Sequence, residues 1–147
     1  MKRLGNEEGA TLVEFALASL ALIMMLFGII EFSFAFYSYN FAAEAAKEAA
    51  RYASVRGVCK DSNGNVTNLL PDCAITPLKL KELVQNMGYP GINPSNITAV
   101  DVTWPNGDGY PGHSVKVDIT YKFPLSVPFW NATDLYLHST AQMVISN

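Results

Sequence analysis

From Phe15 to Ile30 this chain carries no charge, and the run is bracketed by two acids, Glu14 and Glu31. With Leu12 and Val13 ahead of it, the stretch is long enough to cross a bilayer, for which roughly 20 residues suffice. In 147 residues there is room for one such span and one small globular domain. The acid at its head is the anomaly, because an unpaired carboxylate is costly to bury in hydrocarbon. Either Glu14 snorkels to the cytoplasmic headgroups, or it is half of a charge pair, in which pairing removes much of the penalty.

Lys2 and Arg3 precede the apolar run, which is the layout of a secretory signal peptide. An ordinary signal sequence has a shorter apolar core and a small-residue cleavage site after it. Here the run flows without a break into further helix-like sequence. It is therefore expected to remain as an anchor, with Met1–Gly9 cytoplasmic by the positive-inside rule and the remainder extracytoplasmic. Cys59 and Cys73 both lie beyond the span, where an oxidising compartment favours a disulfide. The alternatives are two free thiols or a lone metal pair. The net charge is −3 with the basic residues scattered, so nucleic-acid binding lacks an electrostatic footprint.

Ala10 to Arg56 reads as one long helix of about 70 Å, roughly twice a hydrocarbon core, so it must project from the membrane. Its second half is rich in alanine, at positions 42, 43, 45, 46, 49, 50 and 53, and alanine is the strongest helix former. Glu44 with Lys47 and Glu48 with Arg51 are spaced to pair on the exposed face. Gly57 sits where a left-handed cap belongs. Phe32, Phe34, Phe36, Tyr37, Tyr39 and Phe41 gather where the helix leaves the bilayer. They read as an interfacial aromatic belt or as a stacking contact between subunits.

Val58–Pro77 is a loop rich in Asn, Asp and Gly. Thr76-Pro77 then has the form of an N-cap followed by proline at the first helical position. Leu80, Leu83, Val84 and Met87 follow at helical spacing up to Gly88. Three alternating segments come next: Val100–Trp104, the very regular Val115–Phe123, and Leu135–Ile145. Pro105-Asn-Gly-Asp-Gly109 supplies turn chemistry between the first two. The expected fold is α+β: a long N-terminal transmembrane helix, then a small antiparallel sheet with one short helix. Residues 1–9 form a cytoplasmic leader, 10–57 the long helix with its span at about 12–36, and 58–147 the extracytoplasmic domain.

Asp61-Ser-Asn-Gly-Asn65 resembles a calcium loop only faintly, with glycine misplaced and the final Glu missing, so it reads as a polar turn. Asn65, Asn96 and Asn131 begin Asn-x-Thr sequences and read as turn formers. His113 and His138 have no nucleophile arranged near them. Neither a catalytic constellation nor a metal or cofactor site emerges, and an enzyme has nothing in its favour.

Gly9-Ala-Thr-Leu-Val-Glu14-Phe15-Ala-Leu, the apolar run ending Phe27-Gly-Ile-Ile-Glu31-Phe, and Ala49-Ala-Arg51-Tyr52-Ala53 resemble, in order and spacing, the TadE-like family of tight-adherence pilus assembly. The glycine–glutamate element alone is shared with major pilins and secretion-system pseudopilins. The Ala-Ala-Arg-Tyr-Ala block narrows it, although Lys47-Glu48-Ala-Ala-Arg51 lacks a glycine that the family often has there. The likeness is close over the first third of the chain and loose beyond it. It implies cleavage by a prepilin peptidase after Gly9, which makes Ala10 the mature N-terminus. The new amine then lies four residues before Glu14, on the same helix face or within reach of a neighbouring subunit's Glu14, with Phe15 adjacent.

The resemblance also implies a minor, pilus-associated role in the bacterial inner membrane. Its partners would be other pilin-like subunits, inner-membrane assembly proteins, the peptidase and membrane lipid, as a homo-oligomer or filament that leaves the cell as a pilus. Glu31 would mark the outer membrane boundary or pair with another subunit's cation, and Arg51 and Tyr52 would serve helix contacts. Two other readings stand beside this one: the principal filament subunit, against which the large domain speaks, and a membrane-tethered binding module.

Overall fold

The structure, a computed structural model, describes residues 7–56, 75–107, 109–126 and 133–146. Helix α1 (Glu7–Arg56) is one unbroken helix of 50 residues, about 75 Å long at 1.5 Å per residue. It begins three residues ahead of the expected Ala10, so Gly9 lies inside the helix. A short helix, α2 (Pro77–Gln85), follows, then a 3-10 turn (Pro94–Asn96) and strands β1 (Ile97–Thr103), β2 (Ser114–Leu125) and β3 (Thr133–Val144). The α+β architecture read from the sequence is therefore the one observed. The cysteine pair, Cys59 and Cys73, lies outside the described residues.

Local chemistry sets the element ends. Thr76 caps α2, its hydroxyl accepting from Lys79 N at 3.3 Å, and Pro77 takes the first helical position, where its missing N–H costs nothing. Between β1 and β2 the chain makes two turns in succession rather than one tight hairpin. Gly107 N donates to Trp104 O and His113 N to Tyr110 O. In the second, Pro111 precedes Gly112 at φ 87°, the arrangement of a type II turn, whose third position needs a positive φ. Asn106 Oδ1 accepts from both the backbone N and the hydroxyl of Ser114 and so ties this connection to the start of β2.

The sheet is antiparallel throughout, in the order β1-β2-β3. β2 and β3 stay in register over twelve pairs, from Ser114 opposite Val144 to Leu125 opposite Thr133. β1 carries an irregularity between Ile97 and Ala99. The alternation read in β2 is realised residue by residue. Val115, Val117, Ile119, Tyr121 and Phe123 are buried, while Lys116, Asp118, Thr120 and Lys122 stand partly exposed on the opposite face.

The second half of α1 covers that apolar face. Ala42, Ala45, Ala46, Ala49, Ala50 and Ala53 have no exposed surface; they recur at three- and four-residue steps and so form one stripe. Small side chains let the helix backbone lie close to the sheet, and the bulk comes from Ile119, Tyr121 and Phe123 opposite. α1 lies over β2 and β3, and α2 lies over β1, burying Leu80 and Val84 with Ile97 and Val100 in the same core. The long helix is therefore part of the domain as well as its root. The chain end closes the distal side: Ile145 N bonds His113 O at 2.7 Å, and Ser146 N bonds Ser54 O at 3.3 Å. The second bond satisfies one of the last carbonyls of α1, which have no partner within the helix.

Phe41 departs from the belt reading. It is 3% exposed, whereas Phe34 is 60% exposed, because Phe41 falls at the head of the alanine stripe and turns into the core. Its ring meets Tyr89 and Tyr121 edge-on, at centroid distances of 5.0 and 5.8 Å. The exposed aromatic collar thus comprises Phe32, Phe34, Phe36, Tyr37 and Tyr39.

Candidate functional site

The two halves of α1 differ in what surrounds them. From Gly9 to Ile30 every residue but Ser19 is exposed, including Leu12, Phe15, Leu17, Leu22, Met25 and Ile29. Hydrophobic side chains all round a helix with nothing of the same chain upon them mark a segment that belongs in lipid or against other helices. Among the described residues this is the one helix long and apolar enough to cross a membrane.

Within it lie the first four residues singled out from sequence. Gly9 and Ala10 lie in the first described turn of α1, both exposed, and a side chain at Gly9 would meet nothing within 4 Å. Glu14 follows Ala10 by four positions, which puts both on one helix face. No described side chain pairs with Glu14. Phe15 projects freely beside it. Near the outer end of the span, Ser33 Oγ donates to Ile29 O at 2.8 Å, the usual way a serine is satisfied in apolar surroundings.

Glu31 is placed differently. It stands about 25 Å along the axis from Glu14, close to the roughly 30 Å of a hydrocarbon core, and it is partly buried. It borders a cleft at the end of the domain nearest the span, with Phe34, Tyr37, Tyr121 and Phe123. Tyr37 reaches across to the Tyr89–Ile92 turn, its hydroxyl donating to Pro90 O at 2.9 Å. Gly91, at φ 74°, makes that turn possible. No local pattern announces this cross-link, since its partners are 53 positions apart.

Arg51 and Tyr52 sit at the far end of α1, about 55 Å from Glu14 along the axis, so the folded chain does not bring these candidates together. Arg51 forms a bidentate pair with Glu48, Nε to Oε2 at 2.9 Å, and Lys47 pairs with Glu44 at 2.9 Å. Its hydrogen bond to Arg51 holds the Glu48 carboxyl below the usual carboxylate range, and raises Arg51 in turn. Tyr52 packs on the core and carries the Arg56 guanidinium 4.4 Å above its ring, a cation–π contact. Both histidines are engaged elsewhere: His113 edge-on against Tyr110, and His138 Nδ1 3.0 Å from Thr120 Oγ1.

That last contact belongs to the outer face of the sheet, a self-satisfied polar lattice. Lys116 pairs with Asp118 at 3.2 Å and Lys122 with Asp134 at 2.9 Å; Asp118 also accepts from Thr140. Asp134 holds the Lys122 ammonium above the usual lysine range. Among the described residues no group of three or more His, Cys, Asp or Glu is placed to hold a metal ion.

The family model for TadE-like protein matches residues 9–51, which are 43 of the 147. The matched segment opens at Gly9, takes in the whole bare half of α1, and runs through most of the alanine stripe to Arg51. It stops short of the sheet. No curated protein and no solved structure matches the chain.

Proposed function

We propose that this chain is a TadE-like minor pilin or pseudopilin. In this reading it is a non-enzymatic subunit that acts in assembling a tight-adherence, type IV pilus-like system. One span anchors it in the inner membrane with its domain on the extracytoplasmic side. Prepilin peptidase cuts after Gly9, and the new Ala10 amine pairs with Glu14, either in the same chain or in a neighbouring pilin-like subunit. The observation that carries this reading is the coincidence of the family match with a helix that is bare over its first half and rooted in the domain over its second. The bare half is a surface for packing against other helices in or near the membrane, and the second half transmits that packing to the domain.

The pairing explains the acid at the head of the span. A lone carboxylate there is costly, but a carboxylate facing an amine is much less so. Glu14 then fixes how far one subunit slides past the next, because only one register brings it to an amine. Mass spectrometry of the protein from its native host should find a chain beginning at Ala10, and Glu14→Ala should abolish piliation while leaving the protein in the membrane. A chain that retains Met1–Gly9, with pili unaffected by Glu14→Ala, would leave only the tethered-module reading. Imaging of purified pili separates minor from major subunit, since a minor subunit is not the repeating unit.

A further inference from the structure

The cleft beside Glu31 lies where the domain meets the span, and its chemistry is specific. It has a volume of about 390 Å³. One carboxylate, Glu31, borders it, and no described Lys or Arg pairs with that carboxylate. Aromatic rings supply much of the remaining wall: Phe34 and Tyr37 from α1, and Tyr121 and Phe123 from β2. The turn held by the Tyr37–Pro90 bond forms one edge. A single acid among aromatic side chains attracts an organic cation, through charge-assisted hydrogen bonding and cation–π contact. One carboxylate is too few for a hard metal ion, which takes six or more oxygens.

Position identifies the source of that cation. Glu31 ends the uncharged run, about 25 Å from Glu14, and the exposed rings of Phe32, Phe34 and Phe36 surround the same level of the helix. Such rings prefer headgroup depth. We infer that the cleft is a binding site for the primary ammonium of a phospholipid headgroup, as in phosphatidylethanolamine. Glu31 accepts its hydrogen bonds and the rings cover its faces. This rests on the single-span reading above. The bound lipid fixes the depth of the domain on the outer leaflet, because the cleft is built jointly from α1, the connection from Pro90 to Asn96, and β2.

The full chain in detergent micelles, examined by native mass spectrometry, tests this with lipids of identical acyl chains. Phosphatidylethanolamine should be retained about tenfold over phosphatidylglycerol, the effect of one charge-assisted hydrogen bond. Phosphatidylcholine, whose cation cannot donate, should fall between them. Glu31→Gln should remove the preference, whereas Glu14→Gln should keep it. The wild-type lipid series stands without any variant, so a poorly folding Glu31→Gln does not decide the matter. Equal retention of the three lipids overturns the site. So does carbodiimide cross-linking of Glu31 to a second copy of the chain, which would assign the cleft to a protein cation. Carbonate-resistant insertion into vesicles is measured on the same preparation. Failure to insert overturns the span reading together with the site, while insertion without lipid preference overturns the site alone.

Discussion

Alanine 46 has no exposed surface and faces a sheet of large side chains, so its size is what the interface requires. Ala46→Leu should destabilise the protein by about 1–3 kcal/mol through overpacking. Lys47→Leu, one residue on and exposed, should stay within about 0.5 kcal/mol. Thermal melts of the full chain in detergent distinguish the two, and equal shifts would contradict the seam. Phe41→Ala removes a buried ring with two edge-on partners and should cost about 3–5 kcal/mol; a ring lying in the headgroups would cost far less. The surface ion pairs act in opposite directions with pH. Arg51 depresses the Glu48 carboxyl, so that pair stabilises above the ordinary carboxylate value of about 4.3 and fades as pH falls through the lower folded value. Asp134 raises the Lys122 ammonium, so that pair stabilises below the ordinary lysine value of about 10.4 and fades as pH rises through the higher one. Glu48→Gln should flatten the acid limb of a Tm–pH curve and Lys122→Met the alkaline limb, each slightly, since both pairs are solvated.

At the scale of elements, the cap of α2 is a discrete contribution. Thr76→Ala should lower stability by about 1 kcal/mol and Thr76→Ser should restore most of it, as read from denaturant midpoints; equal loss in both variants would point to a packing role for the methyl group. This cap was legible in the sequence because it depends on residues three apart. So was β2, whose two-residue alternation is itself the burial pattern. The short helix was legible as a cover for the sheet; what escaped was the larger share taken by α1. The alanines of α1 were legible as helix formers, but alanine is as content on a solvated face as on a buried one, so composition did not say which face was which. The spacing 42, 45, 46, 49, 50, 53 did carry that information, with alanine playing the apolar role in an ordinary amphipathic stripe. The neighbours of Phe41 in sequence suggest a place in the belt, although it shares the phase of the alanines. The Glu31 cleft was not legible at all, since α1, β2 and the Tyr89–Ile92 turn meet there only once the chain has folded.

For the molecule as a whole, the consequence is that the domain does not begin where the long helix ends. Of the 17 buried apolar residues among those described, seven belong to α1, from Phe41 to Ala53. Without them, the inner face of β2 loses most of its cover and only α2 remains over β1, so the apolar area still buried no longer offsets the entropy of ordering the sheet. A fragment of residues 58–147 should therefore lack a cooperative thermal transition and expose apolar surface. A fragment of residues 35–147 keeps the stripe and the Tyr37–Pro90 and Ser146–Ser54 bonds while shedding most of the apolar run, so it should be soluble and melt in one step. Circular dichroism melts of the two decide this, and a cooperative transition in the shorter fragment at the Tm of the longer one would show that α1 merely lies on a self-sufficient sheet. If the longer fragment alone folds, a rotation or axial shift of the bare half of α1 must carry the sheet with it. Helix packing around Glu14 would then set the orientation of a domain some 40 to 55 Å away along the same continuous helix.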